Sequence, residues 1–386
     1  MRKICFFTST RADYGIMSRL MRRIADSPEC ELQIIATNMH LSPEYGLTYR
    51  EIEADGFSIN KKIEMMLSSD TRNGIVKSMG VALLGFADAI EDLQPDLAVI
   101  LGDRYEMLAA AEACLINRIP IAHIGGGDIT EGAFDDSIRH SITKMSHLHF
   151  ANTEEGRKRI IQMGEQPDRV FDFGGLANDN ILNEPIMSKV DLEENLSFKL
   201  NRPYMLVTFH PVTLEDNTAE KQIGNLLAAL ECYLNEFKII FTMPNSDSDS
   251  RVITEKIKGF VNKFPDDSIA FFSLGKKRYY STLKYCEAVI GNSSSGIYEA
   301  PSFHVPTLNI GDRQKGRFRG ESVVDVDATL TDIQKGLKKV LSDEFREFVR
   351  TVPSPFDKPG TLDNIFNVIV SYPLNGIIEK KFYNMI

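Results

Sequence analysis

Acidic residues collect after two neighbouring apolar segments in the first half of the chain. The segment LAVIL (97–101) leads into Gly102, and the segment PIAHI (120–124) leads into GGGDITEGAFDDSIRHSITK. The carboxylates that follow are Asp103, Asp128, Glu131, Asp135 and Asp136, with Arg104, Arg139 and His140 close in sequence. Open α/β sheets bind ligands outside the carboxyl ends of their strands, and crowded carboxylates acquire unequal pKa values suited to proton transfer. We therefore predict a catalytic edge here.

A glycine- and serine-rich loop in the second half is the clearest candidate for phosphate binding. The apolar segment AVI (288–290) leads into GNSSSG (291–296) and then a predicted helix. The candidate contacts are Asn292, Ser293, Ser294, Ser295 and Gly296. Small residues let backbone N–H groups approach an anion, and Glu299 is spaced to accept hydrogen bonds from a ribose. A plain serine-rich cap and turn is the alternative.

Two further features of the second half suit a diphosphate. The segment TLNI (307–310) is followed by a loop in which four cations, Arg313 among them, lie between three glycines. His210 ends the apolar segment MLVTF, where a histidine could donate a proton to a leaving phosphate. The alternatives are a solvated basic loop and a structural histidine.

Weaker candidates lie after other predicted strands. TSTRADYG (8–15) lacks the GxGxxG pattern, which disfavours an NAD site, and Arg11 suggests a phosphate or substrate contact, with a helix-start loop as the alternative. Asn245 and Asp247 in MPNSD could face the nucleotide. His147 and His149 have a spacing that allows metal ligation, but packing roles are favoured, and we expect no metal.

Composition restricts the class of protein. With a net charge of −10 and no basic stripe, the chain is not expected to bind nucleic acid. The five cysteines are scattered without CxxC spacing, which is typical of reduced residues in a cytosolic protein. No segment approaches the roughly 20 apolar residues of a membrane span, and the N-terminus has no signal core. We expect a soluble, cytoplasmic protein.

Short apolar segments alternate with amphipathic helical segments along the whole chain, which indicates parallel βαβ units. We predict six strands in each half and two Rossmann-like domains, because 386 residues exceed the size of one core. The first domain spans 1–178, with the last segment (362–386) predicted helical and crossing back to it. The second domain spans 179–361.

Taken together, the motifs resemble the hydrolysing UDP-N-acetylglucosamine 2-epimerases. They are TSTRADYG, GDRYE, HIGGGDITEGAFDDSIRHSITKMSHLHF, FHPVT, GNSSSGIYEAPS and NIGDRQKGR. The family includes sialic-acid pathway enzymes and relatives that act on UDP-N,N'-diacetylbacillosamine, and the match covers essentially the whole chain. The resemblance implies a glycosyltransferase-B-like α/β fold with the active site in the interdomain cleft. It also implies UDP and a UDP-sugar as ligands, no redox cofactor, and a homodimer or homotetramer.

The resemblance also carries over residue roles. Asp103 and Arg104 look like the family's catalytic aspartate and its neighbour, Asp135 like the conserved aspartate of the next motif, and His210 like the histidine of HP. The positions that resemble UDP or substrate contacts are Arg11, Ser293, Ser294, Glu299 and Arg313.

One position departs from the family pattern. Some members carry a catalytic glutamate directly after the HI of the second strand (HIEGGE), where this chain has Gly125. Asp128 holds the later acidic position, and Glu131 lies in a loop one residue longer. The second acid is therefore either Asp128 or Glu131.

The expected reaction is hydrolysing epimerisation at C2 of a UDP-2-acetamido sugar, through loss of UDP to a 2-acetamidoglycal and addition of water. UDP-N-acetylglucosamine is slightly preferred as substrate, with UDP-N,N'-diacetylbacillosamine as the alternative. Three other functions stay open: a non-hydrolysing 2-epimerase, a glycosyltransferase, and a non-catalytic UDP-sugar sensor.

Overall fold

The chain forms two compact units in the computed structural model, which describes residues 1–67, 69, 71–183, 185–212, 218–245 and 249–385. The first unit contains Met1–Ile129, Asp135–Asn180 and Phe356–Ile386, and the second contains Thr130–Phe134 and Ile181–Pro355. The predicted domain boundaries lay between residues 178 and 179 and between 361 and 362, and residues 130–134 were assigned to the first domain. The structure corrects that assignment, because residues 130–134 form hydrogen bonds with the loop at 312–317.

The first unit is built on a seven-stranded sheet in the order β3-β2-β1-β4-β5-β6-β7, and the paired strands are parallel. Its strands are β1 (Arg2–Thr8), β2 (Cys30–Thr37), β3 (Lys61–Ile63), β4 (Leu97–Leu101), β5 (Ile121–Gly126), β6 (Leu148–Ala151) and β7 (Val170–Asp172). Its helices are α1 (Arg11–Ala25), α2 (Tyr49–Ala54), α3 (Arg72–Leu93), α4 (Tyr105–Ile116), α5 (Asp135–Met145), α6 (Glu154–Gln162) and the start of α7 (Leu176–Asn183).

The second unit is built on a six-stranded parallel sheet in the order β10-β9-β8-β11-β12-β13. Its strands are β8 (Tyr204–Thr208), β9 (Lys238–Thr242), β10 (Ser268–Phe271), β11 (Ala288–Gly291), β12 (Thr307–Ile310) and β13 (Val323–Val326). Its helices are α8 (Lys189–Leu196), α9 (Ala219–Glu231), α10 (Ser250–Lys263), α11 (Gly275–Tyr285), α12 (Ser294–Tyr298), α13 (Leu330–Val340) and α14 (Asp343–Thr351). The chain then returns to the first unit with α15 (Thr361–Ser371).

Both sheets are covered on two faces, which explains their nearly continuous apolar strands. In β1, Ile4 and Phe6 enter one core cluster, with α1 and α15, while Cys5 and Phe7 enter another, with α3 and α4. Successive side chains of a strand point to opposite faces, so an unbroken apolar segment fills both cores. The predicted class of two Rossmann-like α/β domains is confirmed.

Each sheet has one place where the strand order reverses, and ligands bind at such switch points in doubly wound folds. In the first unit the reversal lies between β1 and β4, and in the second between β8 and β11. The loops after these strands contain residues 9–10, 102–104, 209–210 and 292–293. The strand order thus places the predicted chemical motifs at the two sheet edges where doubly wound folds bind ligands.

Two local expectations were wrong. The strand β3 was not predicted, because KKI at the sheet edge is short and rich in lysine. The helix predicted through residue 386 ends at Ser371, because Pro373 disfavours helical backbone at the residue before it.

Of the helices described, α3 is long and apolar enough to cross a membrane by length and composition. Its inner residues, including Ala82 and Phe86, lie in the core of the first unit.

Candidate active site

Arg139 organises the acidic cluster at the carboxyl edge of the first sheet. Its guanidinium donates to the carboxylate of Asp103, which follows β4, and Nη1 donates to the backbone oxygen of Asp128 at 2.8 Å. The Arg139 side chain is fully buried. A planar guanidinium with several fixed donors can orient two groups at once. Sequence analysis noted Arg139 beside the acids without giving it a role; its i+3 spacing from Asp136 was the available signal.

Asp128 is the buried acid of the loop after β5. Its Oδ2 accepts a hydrogen bond from Asn152 Nδ2 at 3.2 Å. Just before it, the pairing of β5 with β6 shifts register between Ile124 and Gly126, and Gly125 adopts φ +81°. A glutamate at Gly125 would be strained in this left-handed region. The position where some family members carry glutamate is therefore a backbone bulge here, and Asp128 supplies the buried carboxylate.

Helix α5 carries three further polar residues, Asp135, Asp136 and His140. Asp136 lies 3.5 Å from both Arg139 Nη1 and His140 Nε2, a spacing of three and four residues that brings helical side chains together. Burial lowers the pKa of His140, although Asp136 opposes this change. Asp135 is the first residue of α5 and is partly exposed. The helix thus fixes Asp135 at the edge where Asp103 and Asp128 lie.

Buried polar groups form hydrogen bonds with the loop after β4. Arg104 Nε donates to Oε1 of the fully buried Glu106 at 2.6 Å. His123 Nε2 lies 2.7 Å from the Gly102 oxygen, and burial lowers the pKa of His123 to about 4, so the ring is neutral near pH 7. These contacts hold the backbone of Gly102 and the side chain of Arg104.

Asp13 shapes the loop after β1. Its carboxylate accepts hydrogen bonds from the backbone of Ser9 (2.9 Å), Thr10 (2.8 Å) and Tyr14 (2.7 Å), and forms a capping box with Thr10. Arg11, the first residue of α1, is partly exposed. Asp13 is therefore structural, and the loop that it fixes presents Arg11.

In the second unit, Asn292 holds His210 at the switch point. The Asn292 amide accepts from the His210 backbone N–H at 2.7 Å and donates to the His210 oxygen at 2.8 Å. His210 Nδ1 accepts from the Asn245 backbone N–H at 3.4 Å, which leaves Nε2 as the protonated nitrogen. The side-chain amide of Asn292, a predicted ligand contact, is thus engaged with the backbone of His210.

The serine loop begins with a backbone that only glycine allows. Gly291 has φ +132°, and a Cβ atom there would lie 1.9 Å from the oxygen of Thr208 on the neighbouring strand. Beyond it, Ser293 Oγ accepts from the Ser295 N–H at 3.3 Å, and Ser294 is partly exposed. Gly296 packs against Thr307. Because α12 has only five residues, a helix dipole contributes little here.

Glu299 lies behind this loop and is almost fully buried. Tyr280 Oη donates to its Oε1 at 3.2 Å, and Tyr279 contacts Ser295 through their hydroxyl groups. Burial raises the pKa of Glu299, and hydrogen bonds from Ser295 and Tyr280 partly offset this. The carboxylate is thus held rigidly.

Two side chains of the loop after β12 form hydrogen bonds with the serine loop. Arg313 Nη1 and Gln314 Nε2 donate to the backbone oxygen of Asn292 at 3.1 and 2.9 Å. Gln314 is buried and was not predicted, because a glutamine between two cations carries no signal of its own. Asp247 lies outside the described residues.

Glu131 differs from the other predicted acids. It belongs to the second unit, its side chain is exposed, and its backbone N–H donates to the Lys315 oxygen at 2.9 Å. Between the two candidates for the second acid, Asp128 is the residue that shares Arg139 with Asp103.

The two histidines of HLHF have structural partners. His147 Nδ1 accepts from the Ile121 N–H at 3.1 Å, and His149 Nε2 lies 3.2 Å from Glu165. Lys144 and Lys380 also bind Glu165, and the hydrogen bonds from His149 and both lysines lower its pKa to about 2 against the effect of burial. Within the part of the chain described, no group of three His, Cys, Asp or Glu residues is placed to hold a metal ion.

Comparison with known proteins gives consistent matches over nearly the whole chain. The profile of a family described as UDP-N-acetylglucosamine 2-epimerase matches residues 22–370. The chain is 46% identical over 346 residues to the "GDP/UDP-N,N'-diacetylbacillosamine 2-epimerase (hydrolyzing)" of Campylobacter jejuni, covering 90% of this chain and 89% of that protein.

Two other curated relatives match at full length. Identity is 39% over 386 residues to "Polysialic acid biosynthesis protein P7" of Escherichia coli, covering 100% of this chain and 98% of the relative. The identity is 36% over 381 residues to the "UDP-N,N'-diacetylbacillosamine 2-epimerase (hydrolyzing)" of Legionella pneumophila, covering 99% of each chain.

Among solved structures, the S. aureus MnaA–UDP complex superposes with a TM-score of 0.79 at 17% identity, covering 100% of each chain. At that identity the likeness concerns the fold alone.

Proposed function

We propose that this chain, which belongs to the UDP-N-acetylglucosamine 2-epimerase family, is a hydrolysing 2-epimerase. It converts a UDP-2-acetamido sugar into UDP and the free manno-configured sugar. The observation that carries the proposal is the buried Arg139, which holds Asp103 and the backbone of Asp128 together at the carboxyl edge of the first sheet. A protein that only binds an anionic ligand has no use for such a cluster of acids.

The chemistry requires departure of UDP before, or together with, loss of the C2 proton. The C2 hydrogen of a 2-acetamido sugar is not acidic, because no carbonyl is attached to C2. Breaking the C1–O bond to UDP builds positive charge at C1, which acidifies C2–H, and a carboxylate then removes that proton to give a 2-acetamidoglycal. Water adds at C1 while an acid protonates C2 from the opposite face, which gives the epimer.

The residues divide into two roles. Asp103, Asp128 and Asp135 are assigned to proton transfer at C2 and to activation of water, because they lie together at one sheet edge. His210, with Nε2 protonated, donates to the departing diphosphate, and Arg313 neutralises its developing charge. Ser293, Ser294, Ser295 and Gly296 supply donors to the diphosphate, and Glu299 accepts from the ribose. We assign Arg11 and Arg104 to substrate contact, and the exposed Glu131 to no proton transfer.

UDP-N,N'-diacetylbacillosamine is the first candidate substrate, because the C. jejuni relative at 46% identity carries that substrate in its name. UDP-N-acetylglucosamine, which the sequence analysis slightly preferred, is the second. The name of the E. coli relative, at 39% identity, places it in polysialic acid biosynthesis. The two sugars differ at C4 and C6, so the residues around these carbons determine which sugar is the substrate.

The test is incubation of the purified protein with each UDP-sugar, and with GDP-N,N'-diacetylbacillosamine, followed by NMR of the products. We expect free UDP and a free manno-configured sugar, with the highest kcat/KM on UDP-N,N'-diacetylbacillosamine. An intact UDP-sugar epimer would indicate a non-hydrolysing enzyme. UDP release that requires an added acceptor would indicate a glycosyltransferase, and binding without turnover would indicate a sensor. Each of these results would contradict the proposal.

We further propose that the enzyme is a homodimer formed through α3 and α4. Residues 78–87 of α3 carry no charge, and Leu84 is 73% exposed. Ile116, at the end of the adjoining α4, is 81% exposed. Large exposed apolar patches mark association surfaces, and the uncharged stretch of α3 suits a second copy of the chain rather than a charged partner.

A cytoplasmic location is proposed from the cysteines. All five are unpaired, and Cys232 alone of them is exposed. Unpaired cysteines persist in reducing compartments.

A further inference from the structure

Residues Thr130–Phe134, here named the inserted segment, lie in sequence between Asp128 and Asp135 but belong to the second unit. Asp128 precedes the segment by two residues, and Asp135 follows it directly. Both neighbours are assigned to proton transfer above. The fixed position of this segment therefore bears on the backbone of two acids.

The inserted segment is bound to the loop at 312–317 by backbone and side-chain hydrogen bonds. The Glu131 N–H donates to the Lys315 oxygen at 2.9 Å, and Arg317 Nη2 donates to Thr130 Oγ1 at 2.8 Å. Thr130 and Ala133 are both buried. These contacts are directional and largely shielded from water, so they fix the segment closely.

Gly132 makes the approach of the two backbones possible. A Cβ atom at this residue would lie 2.0 Å from the Asp312 oxygen and 3.1 Å from the Arg313 Cα. Gly132 has no positive φ, so the requirement is for space and not for an unusual conformation. Any side chain would force one of the two backbones to move.

The loop at 312–317 is the more firmly held of the two partners. Arg313 and Gln314 both donate to the Asn292 oxygen, and the Asn292 amide holds the backbone of His210. Contacts therefore run from the inserted segment through this loop to the proposed diphosphate groups. A side chain at Gly132 would displace the inserted segment rather than the loop.

We infer that the inserted segment is a positioning element of the reaction, with Gly132 and Thr130 as its positioning residues. The inference rests on the proposed function. Anchoring of the segment to the loop that carries Arg313 fixes both of its ends, and so sets the backbone next to Asp128 and Asp135. Loss of the anchor misplaces these acids without removing any group that binds UDP.

The experiment compares Gly132→Ala, Thr130→Val and Thr130→Ser with the wild type. Gly224→Ala is the matched control, because Gly224 has no atom within 4 Å of the added Cβ and lies in the same unit. For each protein we would measure kcat and KM by UDP release, the UDP dissociation constant by calorimetry, and the thermal unfolding temperature.

We expect kcat to fall about 100-fold in Gly132→Ala, since displacements near 1 Å can cost this much, and about tenfold in Thr130→Val. The UDP dissociation constant should stay within about threefold of the wild-type value, because the contacts of Arg313 and Gln314 remain. Thr130→Ser keeps the hydroxyl acceptor and should have the kcat of the wild type. Gly224→Ala should leave kcat and the UDP dissociation constant unchanged, while its thermal unfolding temperature should rise slightly because Gly224 lies within α9.

Two results would overturn the inference. One is a kcat within about twofold of the wild type in both Gly132→Ala and Thr130→Val. The other is a loss of kcat matched by equal losses of UDP affinity or of folded protein, which indicates a merely structural role. If the wild type itself releases no UDP from either sugar, the proposed function fails first and the inference fails with it, so the two failures are distinguishable.

Discussion

At the residue scale, the acidic edge depends on a cation that is not exposed to solvent. Arg139 contacts the side chain of Asp103 and the backbone of Asp128, which lie 25 positions apart in sequence, with Arg139 itself on α5. A buried charge is retained only where it is paired and hydrogen-bonded. The arginine therefore holds the carboxylate of Asp103 and the backbone of Asp128, and changing it tests the cluster without removing an acid.

Arg139→Lys should lower kcat about 10- to 100-fold and lower the free energy of unfolding by about 1–3 kcal/mol. A lysine ammonium cannot replace both contacts, and one buried acceptor is left without its donor. Steady-state kinetics and urea unfolding would measure the two effects. Arg350→Lys, at an exposed position, is the control and should change neither. Unchanged kcat in Arg139→Lys would contradict the proposed role.

Asp103→Asn and Asp135→Asn should each lower kcat by about 10²–10⁴-fold, the usual contribution of general acid–base groups. The amide keeps the shape of the side chain but cannot take up the C2 proton. Turnover would be followed by UDP release, with Asp26→Asn, at an exposed position, as the control. Near-wild-type turnover in both variants would refute the carboxylate assignment.

At the element scale, the strands were predictable but their ends were not. Apolar segments such as LAVIL predict buried parallel strands, and all twelve expected strands have counterparts in the two sheets. The bulge at Gly125 arises from the pairing of β5 with β6, a long-range contact that the local sequence does not encode.

Buried histidines packed on these elements predict a loss of stability in weak acid. Burial lowers the pKa of His40, His123 and His147 from 6.5 to about 4. Each group is neutral in the folded state and takes up a proton on unfolding below pH 6.5, so its stabilising contribution is complete above pH 6.5 and decreases as the pH falls towards 4.

Urea unfolding at pH 7.5 and pH 5.0 would measure this effect. We expect a smaller free energy of unfolding at pH 5.0, and a smaller difference between the two pH values in His147→Gln. His304→Gln, at an exposed position, should keep the wild-type difference. An equal pH dependence in His147→Gln and wild type would contradict the assignment to His147.

At the scale of the whole molecule, the exposed apolar face of α3 and α4 has one testable consequence. Leu84→Glu and Ile116→Glu should convert the proposed dimer into a monomer, because each places a charge in an apolar contact. Light scattering after size exclusion would give the mass. Val190→Glu is the matched control, since Val190 is also exposed but lies on α8 in the second unit. A wild type that is already monomeric would refute the dimer.

The sequence by itself determined the class of fold, the family resemblance and the neighbourhood of the chemistry. Apolar periodicity predicts parallel strands, and the motifs lie directly after them, so local pattern was sufficient. The family resemblance is confirmed by the matches over nearly the full length. The individual roles of the site residues stay predictions.

Only the tertiary structure decided which residues touch. It joined Asp103 and Asp128 through Arg139, engaged Asn292 with His210, and placed Glu131 in the second unit. These contacts link residues far apart in sequence, and they depend on strand order and backbone approach. Neither composition nor spacing records a hydrogen bond between distant loops, so these assignments had to come from the fold.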